Sequence, residues 1–149
     1  MDVIKDMIEK KLEQEFIDLD QYATVLRGKL EQILEKLVHE CSEITAAMVS
    51  GLDGMAWAER GKDDLDKNRF AAMSSSLLAL SDTMIKEIHQ GKVKKVLIES
   101  EGGNIFVVHA GTSLLLTIIT HENANIGMPL AHANRVSEEI GVLVQQCVS

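Results

Sequence analysis

Few residues in this chain are of a type and spacing that could do chemistry. His39 and Cys41 are the only close His/Cys pair. A zinc site needs several such ligands on one small volume. The others available, His89, His109, His121, His132 and Cys147, are scattered along the chain. A Cys–His nucleophile needs a third group to orient its base, and nothing nearby supplies one. Asp63, Asp64 and Asp66 could hold a cation weakly. They serve equally well as a solvated turn whose negative charge favours the start of the next helix. Arg60, Arg69 and Arg135 are the arginines able to meet developing charge in a phosphoryl transfer. The plainer role for each is a surface or capping arginine. The chain has no Gly-x-x-x-x-Gly-Lys-Ser/Thr, no Gly-x-Gly-x-x-Gly after a strand, no His-Glu-x-x-His and no Gly-x-Ser-x-Gly. Gly102-Gly103 lacks the strand-to-helix context of a phosphate cradle and reads as hairpin glycine. The sequence therefore predicts no catalytic residue, no cofactor and no metal.

What remains is a scaffold without an evident reaction, and its bulk character narrows the classes. A chain of 149 residues, 46% hydrophobic and 26% charged, is long enough to bury a core without staples and argues for one domain. Its net charge of −8 opposes binding to a phosphate backbone, so no nucleic-acid partner is expected without a local basic patch. The one basic cluster, Lys92, Lys94 and Lys95, is small. Cys41 and Cys147 form no Cys-x-x-Cys pattern, and two thiols in a reducing compartment are expected, with a bridge between them left open. The charged first twenty residues carry no secretory signature, and no stretch approaches the ~18 apolar residues of a membrane span. A cytoplasmic protein is predicted.

The elements follow from periodicity. Residues 1–20 read as an amphipathic helix with Ile4, Ile8, Leu12 and Phe16 at every fourth position and Val3, Met7 and Leu19 alongside. It is either an arm that docks on a partner or a helix packed on its own domain. Residues 21–40 form a second helix, with Tyr22, Leu26, Leu30, Ile33, Leu34, Leu37 and Val38 on one side. The two could run on as one helix or fold as a hairpin. Ile44–Ser50 and Met55–Arg60 are strands joined by Gly51-Leu52-Asp53-Gly54, a turn whose glycines supply positive φ. A long helix spans about 68–89, with Asp66 or Asn68 as its cap and Gly91 as its stop.

This middle helix carries two stripes. Phe70, Met73, Leu77, Leu80, Met84 and Ile88 recur at spacings of three and four and are assigned to the core. At 100° per residue, Ala71, Ser75, Leu78, Asp82 and Ile85 lie on the roughly opposite side, with Ala79 at its edge. Small residues let two helix backbones approach closely. That second stripe is predicted to pack against another copy of the helix. Three strands follow, Val93–Ser100, Ile105–Ala110 and Leu114–Thr120, with turns short enough for an antiparallel meander. A last helix covers about 129–146, with Pro129 in its first turn and Leu130, Ala133, Val136, Ile140, Leu143 and Val144 on one side.

The order of helix, two strands, helix, three strands, helix resembles the roadblock family: the roadblock-type dynein light chains and their MglB-like bacterial relatives. The residues that carry the likeness are Val49-Ser50-Gly51-Leu52-Asp53-Gly54 with Met55-Ala56, then Phe70-Ala71-Ala72. Ile98-Glu99 with Gly103, Gly111 before Leu114-Leu115-Leu116, and Asn125-Ile126-Gly127 complete it. The likeness covers roughly residues 21–148. It implies an α/β (α+β) domain over 21–149, a five-stranded antiparallel sheet with helices on both faces. Residues 1–20 are then an N-terminal extension. It further implies a homodimer or heterodimer in which middle helices pair and third strands meet edge to edge. Val96 and Ile98 thereby join Ala71, Ser75, Leu78, Ala79, Asp82 and Ile85 as expected interface residues. Family members regulate or scaffold small Ras-like GTPases, some as activating proteins, or serve as light chains of motors. Activating members are understood to reposition the GTPase's own groups, so the want of a catalytic constellation does not oppose that role. The expected function is a dimeric regulator or scaffold of a small Ras-like GTPase. A light-chain or assembly scaffold without effect on GTP hydrolysis, and a small-ligand sensor, are the alternatives.

Overall fold

The computed structural model describes residues 3–15, 19–122 and 125–148. Its elements run α1 (Val3–Glu15), α2 (Leu19–Glu40), β1 (Ile44–Gly51), β2 (Ala56–Arg60), α3 (Lys67–Glu87), β3 (Lys95–Ser100), β4 (Gly103–Ala110), β5 (Leu114–Thr120) and α4 (Gly127–Val148). The five strands form one antiparallel sheet in the order β2-β1-β5-β4-β3. The expected fold class is borne out. The register alternates side chains between two faces. Leu114, Leu116 and Ile118 of β5 point to one, and Leu115 and Thr117 to the other.

The first face is closed by α2 and α4. Leu26, Leu30, Leu34 and Leu37 of α2 are fully buried, as the four-residue spacing predicts, and Ala133, Val136, Ile140 and Val144 of α4 meet them. Arg135 of α4 ties the two helices at the surface by an ion pair to Glu40, 3.2 Å long. The core here draws on every strand except β3, with Phe106, Leu116 and Ile118 at its centre. Helix α1 folds back onto this layer rather than extending α2: Ile4 and Ile8 are fully buried in the same cluster. The reading of a helix packed on its own domain holds for them. Phe16 lies outside the described residues, as do the side chains of Leu12 and Leu19.

The second face is covered by α3 alone. Asp66 caps that helix, its Oδ1 accepting from the N–H of Arg69 at 3.2 Å, so of the two expected caps the aspartate serves. The stop differs from expectation. The helix ends at Glu87, and His89 turns the chain with φ of 54°, two residues before Gly91. The turn between β1 and β2 packs on the first turns of α3. Gly54 has φ of 84°, and a Cβ there would sit 3.2 Å from the Cα of Ala72. Ser75 donates its hydroxyl to the Leu52 carbonyl.

The two sheet edges differ. At one end β2 is short, its register with β1 is broken by a bulge at Val49/Ser50, and Arg27 Nε donates to the Trp57 carbonyl at 3.1 Å. The Arg27 guanidinium also lies over the Trp57 ring, 5.3 Å from its centroid. At the other end β3 pairs only with β4, and every residue but Val96 is exposed.

Candidate functional site: an open apolar surface on α3 and β3

The two stripes of α3 lie the other way round from the sequence prediction. Ala71 and Leu78 are 0% and 1% exposed, pressed onto the sheet with Ser74. Leu78 sits in a small cluster with Val107 and Leu115. These two residues are buried within the chain itself, not exposed as an interface stripe would be. Ser75 is half-buried and spends its hydroxyl on Leu52. Asp82, the polar exception in the stripe, also points inward: its Oδ2 lies 3.4 Å from Nε2 of His109 on β4. Ile85 is half-buried beside Val93 and Val96.

The side assigned to the core faces solvent instead. Met73, Leu80, Met84 and Ile88 are 52%, 59%, 62% and 57% exposed. Phe70 and Leu77 are half-buried. The physical reason is the shape of the sheet. Met48, Leu115 and Val107 already fill the space under the helix, so its inner face must be small to approach. Small side chains serve close packing against strands as well as against another helix, and periodicity cannot tell the two apart. Ala79 is exposed, at the edge of the outward face.

One helix does not cover a five-stranded sheet. Along its flank runs a registered row, Ile98 opposite Ile105 opposite Ile119. Ile105 and Ile119 are half-buried, and Ile98 is 39% exposed. Val96 lies on the same face, two residues along from Ile98. The exposed stripe of α3 and this isoleucine row meet along Leu77 and Ile105, which both pack on the Leu78 cluster. The result is a step with an apolar riser and an apolar tread. Leu52 and Met55, exposed in the β1–β2 turn, extend it at the helix start. A soluble monomer rarely leaves so continuous an apolar area bare.

The residues considered for chemistry do not converge. His39 is exposed and Cys41 buried. Cys41 and Cys147 are both free thiols. Among the described residues no three or more His, Cys, Asp or Glu side chains are placed so that they could hold a metal ion. Arg60 pairs with Glu31 at 3.7 Å, and Arg135 is engaged by Glu40 and by Glu139 at 4.0 Å. Asp63 and Asp64 are exposed beside the cap Asp66. Among the described residues no helix is long and apolar enough to cross a membrane.

The sequence matches the family model of the Roadblock/LC7 domain over residues 29–120, more than half of the chain. The chain belongs to that family. Solved roadblock structures share its architecture. A Roadblock/LC7 domain from Streptomyces avermitilis superposes with a TM-score of 0.72 at 20% identity, over 77% of this chain and 97% of that one. The gliding protein MglB from Thermus thermophilus gives 0.73 at 18% identity, over 81% and 92%. An MglB with a tetrameric arrangement gives 0.76 at 17% identity, over 82% and 92%. At such identities the likeness is one of fold. No curated protein matches the sequence. The roadblock motif Leu52-Asp53-Gly54 is thus explained structurally: Asp53 Oδ1 accepts from the Met55 N–H at 3.1 Å, and the turn seats α3 on the sheet.

Proposed function

We propose that this roadblock protein works as a homodimer that binds a small Ras-like GTPase and modulates its nucleotide cycle. The observation that carries the reading is the apolar step formed by α3 and the isoleucine row, which asks for a partner of the same character. A second α3 would lie on that row beside the first, burying Met73, Leu80, Met84 and Ile88 together with Val96, Ile98 and Ala79. These residues replace Ala71 and Leu78 as the core of the interface. The MglB with a tetrameric arrangement supports self-association as a habit of the fold. The role toward a GTPase rests on the resemblance to the MglB-like branch. In this reading the paired helices are the platform for the GTPase. The chain supplies position rather than a reacting group, since Arg60 and Arg135 are held in ion pairs of its own. The protein is then a regulator without an active site.

The test is single-turnover GTP hydrolysis by a Ras-like GTPase encoded near this gene, with and without the protein in excess. The expected result is acceleration that disappears with Leu80→Glu/Met84→Glu. Two carboxylates on the outward stripe would be buried unpaired in the dimer and leave the protomer's own core untouched. Binding without a change in hydrolysis would favour the assembly scaffold. Failure to bind would overturn the GTPase reading.

A further inference from the structure

The α3 face carries a cost that the closed face does not. Among the described residues two buried hydroxyls lack a hydrogen-bond partner, Ser50 Oγ and Thr117 Oγ1. Ser50 is 0% exposed and Thr117 1%. Ser50 stands opposite Leu115, and Thr117 stands between Met48 and Val107. Opposed residues of a ladder point the same way, so both hydroxyls share the face of the inner cluster, the one that α3 covers. A hydroxyl shut away from water without a partner raises the free energy of the closed state, and the penalty is relieved once water reaches it.

Little holds α3 down against that. Only Ala71, Ser74 and Leu78 of the helix are buried, and Leu78 is the one large apolar side chain of the three. Its polar ties lie at the rim: Ser75 to the Leu52 carbonyl, and Asp82 to His109 at 3.4 Å. A partly exposed ion pair of this kind contributes little. A narrow slot lined by Ala46, Met48, Leu65, Phe70, Thr117 and Ile119 runs between the start of the helix and the sheet. The chain is exposed on both sides of the helix, over residues 62–64 before it and 88–92 after it.

We infer that α3 is a lid, a helix that lifts as a unit from a sheet that stays folded, wetting Ser50 and Thr117 as it goes. The inference does not depend on what the outward stripe of α3 meets. The sheet needs no help from α3 to persist. Its strands are joined by their own ladders, and α2 and α4 enclose Val49, Phe106, Leu116 and Ile118 from the other side. Even β2, the short edge strand, is held from the α2 side by Arg27 on the Trp57 carbonyl. The turn that follows the helix passes through His89 and Gly91 at φ of 54° and 90°, with nothing packed within 4 Å of where a Cβ on Gly91 would lie. Any partner that binds the closed form better shifts the lid toward closed by its difference in affinity for the two states. The resting position of α3 is then a property that binding sets.

The experiment is native-state hydrogen exchange on the full chain across a series of low urea concentrations. It is run on the unaltered protein and on Leu80→Glu/Met84→Glu, so that cover supplied by a second copy is not mistaken for a closed lid. The α3 amides should be roughly a hundredfold less protected than the slowest amides of β1, β5 and α2. Their protection should also respond weakly to urea, because lifting one helix exposes little surface. Thr117→Val keeps the shape of the side chain and removes the hydroxyl, and should raise the protection of α3 about tenfold. Ser50→Ala should act in the same direction. If α3 in the double variant shares the protection and urea response of β5, the helix leaves only when everything unfolds and the lid is overturned. If Thr117→Val and Ser50→Ala both fail to raise protection, the buried hydroxyls do not drive the opening and the inference falls with them.

Discussion

The two faces of the sheet are finished to different degrees. On the α2/α4 face, helices lie over four of the five strands, α1 adds Ile4 and Ile8, and large side chains such as Phe106, Leu34 and Leu116 are fully enclosed. On the α3 face the buried apolar cluster is small: Leu78, Val107 and Leu115, with Leu77, Val93, Val96 and Ile105 only partly buried against them. The first face is a core that belongs to one chain. The second is the inner half of a core whose outer half is still exposed. The same kinds of residue, Leu, Ile and Val, sit on both. What differs is whether the chain itself supplies the cover.

That contrast can be broken by substitution. Phe106→Ala on the closed face should cost about 3–5 kcal/mol of folding stability, seen as a lower urea midpoint, because the cavity it leaves is enclosed on all sides. If the loss were below about 1 kcal/mol, the closed face would not be the stabilising one. Asp66→Ala should cost about 1 kcal/mol, since an N-cap of α3 loses its acceptor for the Arg69 N–H. Leu80→Glu/Met84→Glu should change the stability of the separated protomer least, by about 0.5 kcal/mol or less, as surface changes do. The same pair should abolish the concentration dependence of Tm that a dimer shows. A large loss of protomer stability from it would mean that the outward stripe is packed within the chain, and the contrast would collapse.

The closed face was legible because each of its helices has one apolar side. In α2 the spacing of Leu26, Leu30, Leu34 and Leu37 leaves no second candidate, and in α4 the same holds for Ala133, Val136, Ile140 and Val144. Helix α3 has two apolar sides. Its period gave the stripes correctly, yet the choice of which one turns inward depends on what the sheet already fills. Asp82 held the clue. A carboxylate midway along a supposed helix-pairing stripe is out of place, and it becomes reasonable once His109 of β4 lies opposite. His109 itself could not be singled out among five histidines before the register of β4 was known. The start of β3 was placed two residues early, at Val93, since Val93 packs beside the inner cluster without joining the ladder. The isoleucine row was invisible for another reason: Ile98, Ile105 and Ile119 become neighbours only through pairing across three strands.

The inequality of the two sheet edges limits how far association can go. A strand that adds to an edge creates a new edge, and a sheet with two receptive ends would grow without limit into a fibre. Here the β2 end is unreceptive: its strand is five residues long, bent by a bulge, and one of its carbonyls is already occupied by Arg27. Joining two copies through β3 therefore consumes both receptive ends and presents only unreceptive ones. Growth of a sheet joined in that way would stop at two chains.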